Sequence, residues 1–91
     1  MEFDWDEANE EHTARHGVSW VEAEEVLLDP FALYLDYSIE DDEVRFRQVG
    51  STARGRLIVV AFTVRGEAVR PITAFDADRS AARLYREERF Q

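Results

Sequence analysis

The spacing of apolar residues along the chain changes period several times, and each change predicts an element. Met1 to Trp5 alternates weakly and runs into Asp6, a good helix-capping side chain. A short strand is therefore expected, then a helix over Glu7 to Arg15. His16-Gly17 stops that helix, with Gly17 supplying the left-handed C-cap conformation. Ser19, followed three residues later by Glu22, forms the S-x-x-E box that opens a second helix. Its pattern turns Val21, Val26 and Leu27 toward the core, flanked by Ala23, with Glu22, Glu24 and Glu25 largely outward. Asp29-Pro30 ends it, because the residue before a proline avoids the helical region.

Beyond Pro30 the period falls to two. Phe31, Leu33, Leu35 and Tyr37 alternate with Ala32, Tyr34 and Asp36, which predicts a strand, and Ser38 to Glu43 reads as an acidic loop. Val44 to Gly50 is the next strand, and Ser51 to Gly55 a turn of small residues. Arg56 to Val64 is the most apolar segment and so the expected central strand. Arg65-Gly66-Glu67 makes a tight turn into a last strand, Ala68 to Phe75. There Pro71 cannot donate to a ladder and points to an edge or a bulge. Asp78 or Ser80 caps a final helix through Leu84 and Tyr85 to about Arg89. The order β-α-α-β-β-β-β-α describes a single α+β domain over residues 1–91. An antiparallel β-sheet is expected, with helices packed on one face and the other partly open to a ligand.

Composition narrows the classes. The 91 residues carry a formal charge of -9, yet 45% are hydrophobic and 12% aromatic, enough for a core and too apolar for a disordered acidic chain. The absence of cysteine excludes disulfides and thiolate metal sites and suits a reducing, cytoplasmic setting. No apolar run spans a bilayer, and Met1 is followed by acids where a secretory signal would be basic, so no membrane role is expected. The charge is unevenly spread. Met1 to Arg45 holds fifteen acids and two arginines (2 − 15 = −13), and Phe46 to Gln91 nine arginines and five acids (9 − 5 = +4). Every basic residue is arginine, whose planar fork grips phosphate in two places. A pI near 4.6 argues against nucleic-acid binding driven by net charge and leaves two readings open, a local basic site on the C-terminal half or an acidic surface offered to a basic partner.

Phe3-Asp4-Trp5-Asp6-Glu7, then Arg15-His16-Gly17-Val18-Ser19, a glutamate-rich helix ending in Asp29-Pro30, Gly55-Arg56-Leu57-Ile58-Val59-Val60, Arg70-Pro71-Ile72-Thr73-Ala74 and Arg83-Leu84-Tyr85 follow one another in order. Together they resemble the BrnT family of toxins over nearly the whole chain. The resemblance implies a RelE-like fold and an endoribonuclease that arrests translation. It also implies neutralisation by a BrnA-like antitoxin, through which alone operator DNA is contacted. A homodimer or a toxin–antitoxin heterotetramer is compatible with it. The chain departs from the family pattern at Phe75, where many relatives carry arginine, and in being less basic.

Cleavage of RNA at its 2′-hydroxyl needs a base, cations to stabilise the phosphorane, and an acid for the leaving 5′-oxygen. Arginines can supply the cations, so neither cofactor nor metal is expected. His12 and His16, four residues apart, lack the H-E-x-x-H pattern of a zinc site. His16, Arg56, Arg70 and Tyr85 are the catalytic candidates, and Arg45, Arg47, Arg54 and Arg65 the RNA-binding ones. Each has a plainer reading. His16 is placed to cap a helix, His12 to be solvated, and Tyr85 to pack beside Leu84. Arg56 and Arg70 are placed to pair with acids such as Asp4, Asp6 or Glu43. If the plainer readings hold throughout, the chain is a degenerate toxin whose role is to bind a partner.

Overall fold

The computed structural model describes residues 1–89. The elements follow the predicted order: β1 (Glu2–Phe3), α1 (Glu7–Arg15), α2 (Trp20–Leu28), β2 (Leu33–Glu40), β3 (Glu43–Ser51), β4 (Leu57–Arg65), β5 (Ala68–Asp76) and α3 (Arg79–Arg89). Both N-terminal helices begin at reciprocal caps. The Asn9 amide donates to Asp6 Oδ1 at 3.1 Å and the Asp6 amide to Asn9 Oδ1 at 2.7 Å. Ser19 and Glu22 repeat the arrangement at the start of α2. Asn9 does more than cap: its buried amide donates to Pro71 O at 2.8 Å and Asp4 O at 3.0 Å, tying α1 to β5.

The sheet order is β1-β5-β4-β3-β2. The four long strands form an antiparallel meander, but β1 runs parallel to β5, with Glu2 opposite Ala68 and Phe3 opposite Val69. The sheet is therefore mixed where a purely antiparallel one was expected. The pairing joins the two ends of the chain, and no local pattern signals it. The expected acidic loop is also mostly strand. β2 continues to Glu40, and Asp41 and Asp42 alone make the turn, with φ of 52° and 60°. Such a two-residue turn needs left-handed backbone at both positions, which aspartate tolerates better than most residues.

The three helices do not share a face. Val18 and α2 residues Ala23, Val26 and Leu27 pack on Ile58, Val60 and Ala74, whereas Ala81 and Tyr85 of α3 pack on Val49 and Val59 from the other side. This corrects the one-sided expectation, and the reason lies in β4. Ile58, Val59 and Val60 are successively buried, so both faces of that strand need a cover. In α2 the core stripe is Ala23, Val26 and Leu27, and Val21 is 45% exposed. Residues three and four apart share a helix face, and Val21 lies five before Val26, out of phase. Gly50 lets α2 settle onto β3, since a Cβ there would lie 2.7 Å from Val26 O. Pro71 sits at the expected bulge. The register steps from Ala61–Thr73 to Phe62–Pro71, leaving Ile72 extra on a strand edge that β1 covers at two residues only.

Candidate functional site

Directly opposed residues in a sheet point to the same face. The α3 face accordingly carries Asp36 with Arg47, Ser38 with Arg45, and Thr63 with Arg70. α3 covers this face over Val49 and Val59, and the charged remainder is open. There the sheet and α1 enclose a cleft of about 190 Å³. Asn9 and His12 of α1 form one wall, Arg45 and Glu43 of β3 another, and Arg65, Arg70 and Ile72 the rest.

Each arginine of the cleft already faces a carboxylate. The Arg70 side chain is 14% exposed and lies 3.0 Å from Asp6 and 3.6 Å from Asp4. The Asn9 amide, reinforced by Arg70, holds the Asp6 carboxyl below its ordinary pKa. Arg45 lies 3.4 Å from Glu40 and 3.7 Å from Glu43, and Arg65 lies 3.2 Å from Glu43. Arg45 Nε is a buried donor left without a hydrogen bond among the described residues. Further along the same face Arg47 grips Asp36 with two nitrogens, Nε at 2.6 Å. The hydrogen bond depresses the Asp36 carboxyl and raises the Arg47 guanidinium.

Arg47 also edges a second cleft, of about 250 Å³, between the sheet and the start of α3, where Leu35, Val59, Phe75, Ser80 and Leu84 are its neighbours. A file of rings runs from one cleft to the other. His12 stacks on His16 at 6.3 Å, and His16 meets Phe75 edge-on at 6.4 Å. Phe75, the departure from the family pattern, therefore stands beside the two imidazoles.

Arg56 is elsewhere. It donates to Gly17 O at 2.7 Å, Glu22 at 3.1 Å and Asp76 at 3.0 Å, bolting the α1–α2 turn to the end of β5. Asp76 chiefly, then Glu22, raises its pKa. Asp76 is six residues beyond Arg70 on one strand, so roughly 20 Å separates the two arginines. Tyr85 lies in the core under α3, 2% exposed, and its hydroxyl donates to Asp29 Oδ2 at 2.6 Å. Burial, then the Asp29 carboxylate, pushes the phenol up to about 12. Arg54 is exposed on the β3–β4 turn beside Glu22 and Glu25. The fold thus gathers Arg45, Arg65 and Arg70, keeps Arg47 and His16 close by, and holds Arg54, Arg56 and Tyr85 apart. His12, read from sequence as solvated, is exposed as expected and also forms part of the cleft wall, a place sequence reasoning had not given it. Its i, i+4 relation to His16 on the helix that buries Asn9 was the available signal.

These features define a small α+β protein whose sheet presents one guanidinium-rich face beside a histidine-bearing helix. Residues 5–81 match the family described as the ribonuclease toxin BrnT of type II toxin–antitoxin systems, and the chain belongs to that family. Its members are ribonuclease toxins, and the system implies an antitoxin partner. No curated protein sequence matches the chain closely enough to count. No helix among the described residues is long and apolar enough to cross a membrane.

Proposed function

We propose that the protein is a cytoplasmic, metal-independent endoribonuclease that cleaves RNA on the open sheet face and is silenced by a BrnA-like antitoxin. The observation that carries this reading is the convergence of Arg45, Arg65 and Arg70 on a cleft walled by His12. RNA phosphate enters by displacing Asp6 and Glu43 from their arginines, exchanging one charge-assisted pair for another. Arg70, the least exposed of the three, is assigned to the phosphorane charge, and Arg45, Arg65 and Arg47 to flanking phosphates. His12, backed by His16, takes the 2′-hydroxyl proton. The oxygen then attacks phosphorus, the bond to the 5′-oxygen breaks as that oxygen takes a proton from solvent water, and a 2′,3′-cyclic phosphate and a 5′-hydroxyl remain. Arg56 and Tyr85 are assigned structural roles.

The test is incubation of the antitoxin-free, folded protein with single-stranded RNA and with ribosome-bound message in excess EDTA. Cyclic-phosphate ends are expected. Intact RNA from folded protein ends the proposal. The rival reading, a degenerate toxin that only holds its partner, draws on the carboxylate paired with every cleft arginine. Expression without the antitoxin separates them, because growth arrest belongs to the enzyme and normal growth to the binder.

A further inference from the structure

The charged face has an apolar counterpart. On the α2 side, toward the β2–β3 and β4–β5 turns, Tyr37 pairs with Phe46, Ile39 with Val44, Phe46 with Phe62, and Val64 with Val69, all of them uncharged. Val18 and α2 cover this side over Ile58, Val60 and Ala74. Beyond them Tyr34 is 57% exposed, Tyr37 60%, Ile39 66%, Val44 38% and Val64 54%. Their floor is the Phe46–Phe62 ring pair, with centroids 5.6 Å apart, and Phe62 already packs against the buried core under α2. A contiguous aromatic and aliphatic patch on a small protein marks an interaction surface.

We propose that this uncovered half receives an amphipathic helix of the antitoxin, an apolar stripe flanked by lysine or arginine. The inference rests on the chain being a toxin with such a partner. A helix fits because the neighbouring half of the same face is already roofed by α2, and a second helix extends that layer and the core beneath it. The flanks are basic because the patch is rimmed by acids. Asp41 and Asp42 turn the β2–β3 hairpin at one end of it, and Glu67 lies in the β4–β5 turn. A second copy is the poorer occupant, since each chain carries -9 and would set its acidic rim against another.

Two synthetic helical peptides of about 20 residues, with leucine at i, i+3, i+4 and i+7 and either lysine or glutamate flanks, serve as probes. Anisotropy titration of the full chain should show the lysine form binding at least about tenfold tighter. Tyr37→Ser with Ile39→Ser, and separately Val64→Lys, should each weaken it by about tenfold or more, with thermal melting little changed. Arg79→Ala, on the helix covering the opposite face, should leave it unchanged. Peptide binding that ignores all these face variants overturns the proposal. So does a wild-type dimer in sedimentation that Tyr37→Ser with Ile39→Ser dissociates. RNA cleavage followed in the same samples keeps the two readings apart, because the face variants touch none of the cleft residues.

Discussion

Asp29 accepts three hydrogen bonds, from Phe31 N at 2.9 Å, Ser51 N at 2.8 Å and the Tyr85 hydroxyl at 2.6 Å, and so clamps α3 to the end of α2 and to β3. Burial works to raise its pKa, but these donors outweigh it and hold the carboxyl low. Tyr85→Phe should therefore cost about 1.5–3 kcal/mol in urea unfolding, the range for a hydrogen bond to a charged group. The phenol is raised from 10.0 to about 12, so the unfolded chain loses this proton first and stability falls as pH rises through that interval. The variant should flatten that fall. At the cleft, His12→Ala is expected to lower kcat by about 10²- to 10⁴-fold. Arg70→Lys should be impaired as well, since a single ammonium cannot reproduce the fork. Circular dichroism on both variants separates lost chemistry from lost structure. Of these residues, Arg70 was legible from sequence as a cation inside an apolar strand that needed either a partner or a task. His12 was not. Its importance comes from α1 lying along β5, a contact made by Asn9 some sixty positions away from Pro71.

At the level of elements, local physics was written plainly and tertiary pairing was not. α1 and α2 carry their caps and stops in consecutive residues, and the helices begin and end where those signals stand. β4 was found by its apolar run, and the same run held the overlooked message that both of its sides need covering. The Asp41-Asp42 turn escaped notice because the glycine that usually marks such hairpins is absent. β1 was expected, but its parallel pairing with β5 escaped notice because no local pattern names a partner so far along the chain. Gly50 matters between elements. Gly50→Ala puts a methyl group 2.7 Å from the Val26 carbonyl, so α2 must lift from β3. A loss of about 1–3 kcal/mol is expected from overpacking, read as a lower urea midpoint with an unchanged slope.

Across the whole molecule, the acidic and basic halves of the sequence are stitched together. Arg47 meets Asp36, Arg56 meets Glu22, Arg65 meets Glu43, and Arg70 meets Asp4 and Asp6. The pairing of Arg70 with Asp4 and Asp6 was expected from the sequence, whereas the partners of Arg47 and Arg56 come from the fold. Asp6 and Asp36 are depressed below 3.8 and Glu22 below 4.5, Asp6 and Glu22 first by backbone amides and Asp36 by Arg47. A depressed carboxyl stabilises the fold above its unfolded pKa and stops doing so as pH falls through the folded one. Stability should accordingly start to decline as pH falls through about 4.5 and decline more steeply below about 3.8. Glu22→Gln should shift the onset in a pH titration followed by tryptophan fluorescence.

The parallel pairing of β1 with β5 also orders events during synthesis. His12 leaves the ribosome well before the strand that carries Arg70 and along which α1 lies. A nascent chain therefore cannot close the cleft while β5 is still inside the ribosome. Whatever the cleft receives, it can receive only after translation has passed that strand.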